Sequence, residues 1–357
     1  MKNGKILVGM SGGLDSAYAV NLLRREGCEV VGAALVFSDH TDIESVRRVA
    51  EELSVPLYEK DVKDLFREKV MGDFISCYQN GKTPNPCVVC NRYVKMRALY
   101  ELSRSLGCDG FATGHYAKPV RLESGRFAIA MGKDKKKDQS YMLWGLSQEE
   151  IAAFVAPLCD LDKESIRQSA EAEGLSVARS KESQDICFIP DGDYVSFIRE
   201  NAPNSRGFEE GNFVSVDGLL LGKHKGLCHY TVGQRKGLGI ALGYPAFVTD
   251  MNPETCDITL ASAEDSYKKE ILVESLVFQG LEPVQSGEFD FLVKIRYAAP
   301  PVPCRVIIEG DLARVVFETP QRTPAPGQSA VFYQDDTIML GGIIRRGIIH
   351  RGIIRRG

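Results

Sequence analysis

The sequence of 357 residues lacks the features that would place it in a membrane or make it a general nucleic-acid binder. It has no apolar run long enough to span a bilayer, so we expect no membrane partner. It opens on a strand-like segment rather than a secretory pattern, which predicts a cytoplasmic protein. The formal net charge is −4, so there is no overall excess of positive charge. A nucleic-acid partner would therefore have to meet a local basic face.

The ten cysteines lack the regular arrangement of a disulfide framework. Scattered cysteines in a chain of this length, without a secretory pattern, indicate a reducing compartment, where a few with special neighbours perform chemistry. The others are expected to behave as small apolar core residues. This second group comprises Cys28, Cys77, Cys108, Cys159 and Cys304.

The most informative segment lies near the N-terminus. A short apolar run at residues 6–8 is typical of a buried strand, and apolar positions at helical spacing follow at residues 19–23. Between them lies Ser-Gly-Gly-Leu-Asp-Ser, residues 11–16. The strand therefore leads through a glycine turn into the start of a helix, where free backbone N–H groups bind anions such as phosphates. Asp15 in the same turn is a candidate metal ligand. The segment lacks the lysine of a Walker A loop and the glycine spacing of a dinucleotide fingerprint, which excludes those two kinds of site.

Strand and helix signals alternate through the first part of the chain, which favours a doubly wound parallel sheet with ligands at the carboxyl ends of its strands. The predicted strands are Val30 to Phe37, Val55 to Asp61 and Gly110 to Thr113. The predicted helices are Asp42 to Leu53, Lys63 to Tyr78, and one that begins near Cys87 and runs through Leu106.

From about Arg206 glycines become frequent and segments short, and strand-like alternation after Ile271 indicates a small β-barrel. The expected fold class is therefore α/β, with a doubly wound parallel sheet followed by a small central domain and a C-terminal β-barrel. The expected domains are 1–203, 204–268 and 269–345, followed by a basic low-complexity tail at 346–357. The structural interpretation of that tail is a frayed basic end after the last barrel strand, and the functional interpretation is an arginine arm that contacts phosphates.

Two cysteine segments stand out from the rest. Cys87-Val-Val-Cys90 lies at the proline-stiffened start of a predicted helix. A thiol near a helix N-terminus beside Arg92 and Lys95 is expected to have a lowered pKa, and we apply this to Cys90. Cys187 ends a polar stretch and is predicted to lie on an exposed loop. Because Cys-x-x-Cys also fits a redox pair or half of a zinc site, the spacing alone leaves the chemistry open.

Six segments carry a resemblance to a known family. The glycine loop resembles the motif of PP-loop pyrophosphatases, which have an adenine nucleotide hydrolase-like fold and split ATP between its α and β phosphates. That loop and five later segments, in order, resemble tRNA-specific 2-thiouridylase, with a match from residue 5 to about residue 342. The five segments begin at Thr83-Pro-Asn-Pro, Ala112-Thr-Gly-His, Lys137-Asp-Gln-Ser, Ser183-Gln-Asp-Ile and His229-Tyr-Thr-Val.

The resemblance implies a reaction in which the 2-oxygen of the wobble uridine is adenylated and then replaced by sulfur. Cys187 would receive the sulfur as a persulfide, and Cys90 would attack it, release the sulfur and leave a Cys90–Cys187 disulfide. ATP would be bound by Gly9, Met10, Ser11, Gly12, Gly13, Leu14, Asp15, Ser16, Val36 and Gly114. The target base and the tRNA would be contacted by Asn85, Pro86, Cys87, His115, Lys137, Asp138, Gln139, Arg296, Tyr297 and Gln328.

The same resemblance implies the cofactors and partners. ATP and Mg²⁺ would be required, and AMP and pyrophosphate would be released. The partners would be tRNAs with Lys, Glu or Gln type anticodons and a persulfide donor such as a cysteine desulfurase or a sulfur-relay protein.

The sequence departs from the family pattern at Cys87, where many members have Asp. Cys87, Cys90 and Cys187 offer three thiolates that could hold an iron–sulfur cluster carrying sulfide, which is the alternative mechanism. Apart from Asp15 as a candidate ligand and the Mg²⁺ that would accompany ATP, no metal site is predicted. A second departure is the Ala and Pro run after Tyr297, which favours Arg296 as an exposed strand residue. Two other functions remain open: another PP-loop adenylating synthetase or tRNA ligase, which would not need Cys90 and Cys187, and a nucleotide- or RNA-binding module without turnover.

Overall fold

The computed structural model describes residues 3–180 and 186–347. Its first part contains a five-stranded parallel sheet, together with a separate antiparallel hairpin formed by the fifth and sixth strands. The strands of this part are β1 (Lys5–Gly9), β2 (Glu29–Val36), β3 (Leu57–Asp61), β4 (Gly110–Ala112), β5 (Ala117–Arg121), β6 (Phe127–Met131) and β7 (Phe154–Val155).

Helices pack on both faces of this sheet, as predicted. The helices of this part of the chain are α1 (Leu14–Arg25), α2 (Ile43–Glu52), α3 (Lys63–Phe66), α4 (Gly72–Gln79), α5 (Pro86–Cys90), α6 (Met96–Ser105), α7 (Gln148–Ala153), α8 (Lys163–Ala172) and α9 (Tyr194–Asn201). Of these, α4 and α9 pack in a separate apolar cluster that includes Cys228 of the central part. One-turn π segments, Arg67–Met71 and Asn91–Lys95, join α3 to α4 and α5 to α6. The predicted helix from Cys87 through Leu106 is therefore one continuous helical segment that contains a π turn at Asn91–Lys95.

The sheet order β3-β2-β1-β4-β7 places β1 in the middle. Ile6, Leu7 and Val8 are fully buried between the two helix layers, which explains their uninterrupted apolar run. The chain winds outward from β1 in both directions, so a crevice opens beyond the carboxyl ends of β1 and β4.

The central part, with a small apolar core of its own, forms a four-stranded sheet in the order β10-β11-β8-β9. Its strands are β8 (Gly211–Val214), β9 (Leu220–His224), β10 (Phe247–Asn252) and β11 (Asp257–Ala261).

The last part closes into a six-stranded barrel in the order β12-β15-β14-β13-β16-β17, because β12 also pairs with β17. Its strands are β12 (Tyr267–Phe278), β13 (Ser286–Lys294), β14 (Val302–Glu309), β15 (Leu312–Arg322), β16 (Ser329–Gln334) and β17 (Thr337–Arg345). The expected fold class is confirmed in all three of its parts.

One feature of the fold was not predicted: the β5–β6 hairpin of the first part pairs with barrel strand β17. The chain that follows the hairpin is also held to the barrel. Trp144, fully buried, donates from Nε1 to the Ser329 hydroxyl at 2.9 Å, and the Gln279 amide donates to the carbonyls of Leu143 and Trp144. The barrel is thus joined to the sheet domain through side chains far apart in sequence.

The predicted basic tail falls mostly outside the described residues, and residues 348–357 are not described. Its first residue, Arg346, is packed: it donates to the carbonyls of Asn80 and Gly81 at 2.9 Å and pairs with Asp250 of the central part. Residues 181–185, which carry most of the Ser183-Gln-Asp-Ile segment, also lie outside the described residues. None of the helices in residues 3–180 and 186–347 combines the length and the apolarity that a bilayer crossing requires.

Candidate functional site

The glycine loop joins β1 to α1 at the crevice of the sheet. Gly12 has a φ of +74°, and Gly13 stands at the N-cap of α1 without a side chain to occupy the first N–H groups. The loop is held from inside by Ser16, whose hydroxyl accepts from Ser11 N and donates to Gly13 O, both at 3.1 Å. Met10 and Leu14 are buried with the core of the sheet domain, and each lines one of the two cavities described below.

Asp15 is the charged residue of this loop, and two side chains hold it. Its Oδ1 accepts from the Tyr116 hydroxyl at 2.7 Å and from Lys163 Nζ at 2.6 Å. Lys163 begins α8 and is 9% exposed, whereas the Asp15 side chain is 32% exposed, so the ion pair is shielded from water on the lysine side. Gly114 lies directly against Asp15: a Cβ at this position would lie 2.7 Å from Asp15 Cβ. The end of β4 and the glycine loop therefore fit together only because residue 114 has no side chain.

A cavity of about 500 Å³ lies between the glycine loop and the ends of β2 and β4. Its apolar wall consists of Ala33, Leu35, Phe37, Val46 and Leu99. The predicted nucleoside contact Val36 is not among the lining residues, although its two chain neighbours are. The carbonyl of Val36 instead accepts from Val62 N, at 3.0 Å.

A second cavity of about 860 Å³ adjoins the first on the other side of the glycine loop. The two cavities share Ser11, Asp15, Lys95, His115 and Gln139. Four lysines line the larger cavity, and one acidic residue, Asp15, is among its lining residues. The lysines are Lys95, Lys136, Lys137 and Lys163. This local excess of positive charge fits a polyphosphate or an RNA backbone on a chain whose net charge is negative.

His115 stands between the two cavities. Its Nδ1 lies 2.6 Å from the Thr113 hydroxyl, and burial lowers the pKa of the imidazole to about 3, with a smaller effect from the nearby Lys95 charge. His115 is therefore neutral at physiological pH and can contact a ligand only as a neutral hydrogen-bonding group.

The prediction of a lowered pKa at Cys90 is wrong. Cys90 is 8% exposed within the core, and burial raises the pKa of its thiol to about 11. The helix begins at Pro86, so Cys90 lies a full turn inside it rather than at its N-terminus. The predicted influence of Lys95 is present, since its charge opposes the shift, but desolvation is the larger effect.

Cys87 and Cys187 are both exposed. The protein around the Cys187 thiol nevertheless raises its pKa by desolvation, and charge on Cys87 raises it further. Charge on Cys87 and Cys187 also raises the pKa of Cys90, so the three thiols lie within electrostatic range of one another. All three are free thiols. Within the described residues no group of three His, Cys, Asp or Glu side chains is arranged to hold a metal ion, which does not fit the iron–sulfur alternative.

The loop before α5 is fixed to the barrel. Thr83 N donates to Pro326 O at 2.8 Å, and the Gln328 amide donates to Pro84 O at 2.8 Å. Asn85 caps α5, with its Oδ1 accepting from Val88 N at 3.4 Å, and Pro86 is buried beneath the helix start. Of the predicted base contacts in this loop, Cys87 lines the larger cavity.

The predicted tRNA contacts near residue 138 differ in position. Lys137 and Gln139 line the larger cavity. Asp138 is buried, and its oxygens accept from Gly132 N and from the backbone and hydroxyl of Ser140. Burial also raises the pKa of the Asp138 carboxyl. We therefore assign Asp138 to holding the turn that carries its two neighbours.

Arg296 and Tyr297, two of the three barrel residues predicted to contact tRNA, differ in position, and the third, Gln328, bonds to the loop before α5. Tyr297, 38% exposed, lines the larger cavity, so the barrel contributes to the site. Arg296 is not the exposed strand residue expected from the sequence, since it follows the end of β13 and is half-buried. It donates to Thr323 O at 2.6 Å, and burial lowers the pKa of its guanidinium.

Sequence analysis did not assign Lys95, Tyr116 and Lys163 to the site. Tyr116 stands next to His115 in a segment already singled out, which was a usable signal. Lys163 follows the N-cap residue Asp162, and nothing in its spacing connects it to Asp15. Only the fold brings these two residues together.

Family models match three consecutive parts of the chain. They are a tRNA methyl transferase HUP domain at 4–191, a tRNA methyl transferase PRC-barrel domain at 196–262 and an aminomethyltransferase beta-barrel domain at 268–344. The tRNA-specific 2-thiouridylase MnmA of Clostridioides difficile (strain 630) is 39% identical, over 96% of this chain and 99% of its own length. The chain belongs to the tRNA-specific 2-thiouridylase family.

Other members of the tRNA-specific 2-thiouridylase family match to a similar extent. The MnmA of Lachnoclostridium phytofermentans is 40% identical, over 95% of this chain and 99% of its own length. Among solved structures, a 4-thiouridine synthetase–RNA complex with bound ATP is 21% identical over 56% of this chain and 51% of that chain, with a TM-score of 0.37. A likeness that low carries no argument about the site.

Proposed function

We propose that this chain is a cytoplasmic tRNA 2-thiouridylase that adenylates the 2-oxygen of wobble uridine U34 and replaces it with sulfur, releasing AMP and pyrophosphate. The observation that carries the proposal is that the glycine loop opens into a lysine-lined cavity shared with Cys87, whose charge acts on both Cys90 and Cys187. The proposed phosphate site and the three thiols would therefore meet at one place. Membership of the family supports the same assignment.

The two cavities fit the two parts of ATP. The smaller one, with its apolar wall, would take the adenosine, and the glycine loop with the N–H groups at the start of α1 would take the phosphates. The lysines of the larger cavity would neutralise the departing pyrophosphate. Mg²⁺, which is bound by one or two carboxylates together with phosphate oxygens, fits Asp15, and when bound it would neutralise charge on the leaving group.

Activation of the oxygen is the step that requires ATP. A uracil carbonyl oxygen is a poor leaving group, and adenylation turns it into AMP, which a soft sulfur nucleophile can displace. The terminal sulfur of a Cys187 persulfide would form the bond to the base. The Cys90 thiolate would then attack the Cys187 sulfur, leaving 2-thiouridine on the tRNA and a Cys90–Cys187 disulfide on the protein. Because the Cys90 pKa is raised to about 11, Lys95 would favour the thiolate needed for this attack.

The tRNA would lie across the mouth of the larger cavity, with the wobble base turned out of its stack. Lys137 and Tyr297 would meet the anticodon arm from the sheet domain and from the barrel. We propose tRNAs with Lys, Glu or Gln type anticodons as substrates. The sulfur would come from a persulfide donor of the cysteine desulfurase or sulfur-relay class.

The test is nucleoside mass spectrometry of unmodified tRNA incubated with the enzyme, ATP, Mg²⁺ and a persulfide donor. We expect 2-thiouridine at position 34 with matching AMP and pyrophosphate, and no product from Cys90→Ser or Cys187→Ser. A double Cys→Ser variant with full activity would instead favour another PP-loop adenylating enzyme. Pyrophosphate release that never depends on tRNA would favour a binding module, and activity of iron-free enzyme would exclude the cluster.

A further inference from the structure

We propose that Cys87 is a resolving thiol that takes the disulfide over from Cys187 and forms a Cys87–Cys90 pair at the end of each turnover. This inference rests on the proposed function, because that reaction leaves a Cys90–Cys187 disulfide. It gives a role to the Cys-x-x-Cys spacing that the sulfur-transfer step itself does not use.

Exposure distinguishes the two thiols of this pair. Cys87 is exposed and lines the larger cavity, whereas Cys90 is 8% exposed and belongs to the sheet-domain core. A protein reductant must attack one sulfur of a disulfide along the line of the S–S bond, so access to that sulfur limits the rate. The buried Cys90 sulfur offers no such access, so a reductant must attack its exposed partner. In the Cys90–Cys187 disulfide that partner is Cys187, the residue that must be free to take up the next sulfane sulfur. Moving the disulfide to Cys87 releases Cys187 and keeps an exposed sulfur at the cavity for the reductant.

The positions on the chain allow the pair to form. Cys87 and Cys90 are three residues apart on α5, where Cβ atoms of neighbouring side chains lie about 5–6 Å apart, and a disulfide needs about 3.5–4.5 Å. The first helical turn must therefore tighten by about 1–2 Å. The turn is short, and a π segment follows it at Asn91–Lys95, a type of local irregularity frequent at functional sites.

The neighbours of Cys87 keep it in place for this exchange. Gln328 and the Thr83–Pro326 hydrogen bond fix the preceding loop to the barrel, so Cys87 is held at the cavity. Charge on Cys87 raises the pKa of both Cys90 and Cys187, which indicates that it lies within range of both sulfurs of the disulfide it would attack.

The exchange is balanced without any new oxidant. The Cys87 thiolate attacks the Cys90 sulfur, the Cys87–Cys90 bond forms, the Cys90–Cys187 bond breaks, and Cys187 leaves as a thiolate that takes up a proton. Cys187 is then free to accept the next sulfane sulfur. An external dithiol reductant, of the thioredoxin class, next attacks the Cys87 sulfur, supplies two electrons and is itself oxidised to a disulfide.

The test compares wild type, Cys87→Ser, Cys87→Asp and a control, Cys159→Ser, which changes a half-buried cysteine away from the cavity. After one turnover without reductant, alkylation and peptide mass spectrometry identify the disulfide. We expect Cys87–Cys90 in wild type and control, and Cys90–Cys187 in both Cys87 variants. With a protein dithiol as reductant, we expect the ratio of steady-state turnover to single-turnover thiolation to fall by about tenfold in both Cys87 variants and to keep its wild-type value in the control.

Two results would overturn the inference: a Cys90–Cys187 or Cys87–Cys187 disulfide in wild type, or a Cys87→Ser variant in which the ratio of steady-state turnover to single-turnover thiolation is unchanged. Failure of the proposed function looks different. In that case Cys90→Ser and Cys187→Ser would retain thiolation, and no disulfide would form in any variant.

Discussion

The charge on Asp15 would oppose the binding of a polyphosphate, because a carboxylate repels ATP. Lys163 offsets this charge, since its Nζ lies 2.6 Å from Asp15 Oδ1, and the Tyr116 hydroxyl lies 2.7 Å from the same oxygen. The Lys163 side chain is 11% exposed and the Asp15 side chain 32% exposed, so water screens the ion pair only in part. Lys163 thereby balances the charge of Asp15 within the glycine loop.

We expect Lys163→Met to weaken this arrangement. Removing Lys163 leaves the Asp15 carboxylate, 32% exposed, without its counter-charge, at a cost in free energy because water screens the carboxylate only in part. Tyr116 offsets part of that cost, but tRNA-dependent pyrophosphate release should still fall by at least about tenfold. The matched control is Lys118→Met, which removes an exposed pair with Asp160 and should change stability by less than about 1 kcal/mol. Equal pyrophosphate release in the two variants would contradict the assignment.

Lys95 acts on the Cys90 thiol through its charge. Burial raises the pKa of Cys90 to about 11 and Lys95 opposes that shift, so Lys95→Met should raise the Cys90 pKa further. A thiol with a raised pKa forms thiolate only as the pH rises. The rising limb of the pH profile for single-turnover sulfur transfer should therefore move to higher pH. Lys95→Arg, which keeps the charge, should restore the wild-type profile. A profile that is the same for Met and wild type would exclude this role.

At the scale of elements, the strands and helices near the glycine loop were predictable because local pattern and burial agree there. The apolar run of β1, the helical spacing of α1 and the polar turn between them could each be read from neighbouring residues. The β5–β6 hairpin was not, since its pairing with β17 depends on residues about two hundred positions away. The pKa of Cys90 was missed for the same reason, because its burial comes from packing that spacing does not reveal.

The contact between the end of β4 and the glycine loop can be tested with Gly114→Ala. The added Cβ would lie 2.7 Å from Asp15 Cβ and 2.9 Å from Asp15 C, so the loop must shift. We expect ATP affinity, measured by calorimetry, to fall by at least about tenfold and the free energy of unfolding by about 1–3 kcal/mol. Gly72→Ala is the control, since its Cβ would meet its nearest atom at 3.6 Å. Unchanged ATP affinity in Gly114→Ala would contradict the geometry.

At the scale of the whole molecule, the three parts are tied together around the cysteine loop. Arg346, just beyond β17, donates to the carbonyls of Asn80 and Gly81 and pairs with Asp250, so it joins barrel, sheet domain and central part. Gln328 joins the barrel to the loop that carries Cys87. A tRNA that contacts the barrel therefore contacts a domain that is hydrogen-bonded to the loop carrying Cys87.

The fluorescence of Trp144 reports on the contact between barrel and sheet domain, because Trp144 is the one tryptophan of the chain and is fully buried against the barrel. A Cβ on Gly341 would lie 2.6 Å from the enclosed indole ring, so Gly341→Ala must shift the contact between β17 and Trp144. We expect a loss of about 1–3 kcal/mol in the free energy of unfolding and a red shift of tryptophan emission before any loss of far-UV ellipticity. In wild type and in Gly72→Ala the two signals should change together, as one cooperative unit requires. Coincident transitions in Gly341→Ala, at wild-type stability, would show that the barrel does not depend on this contact.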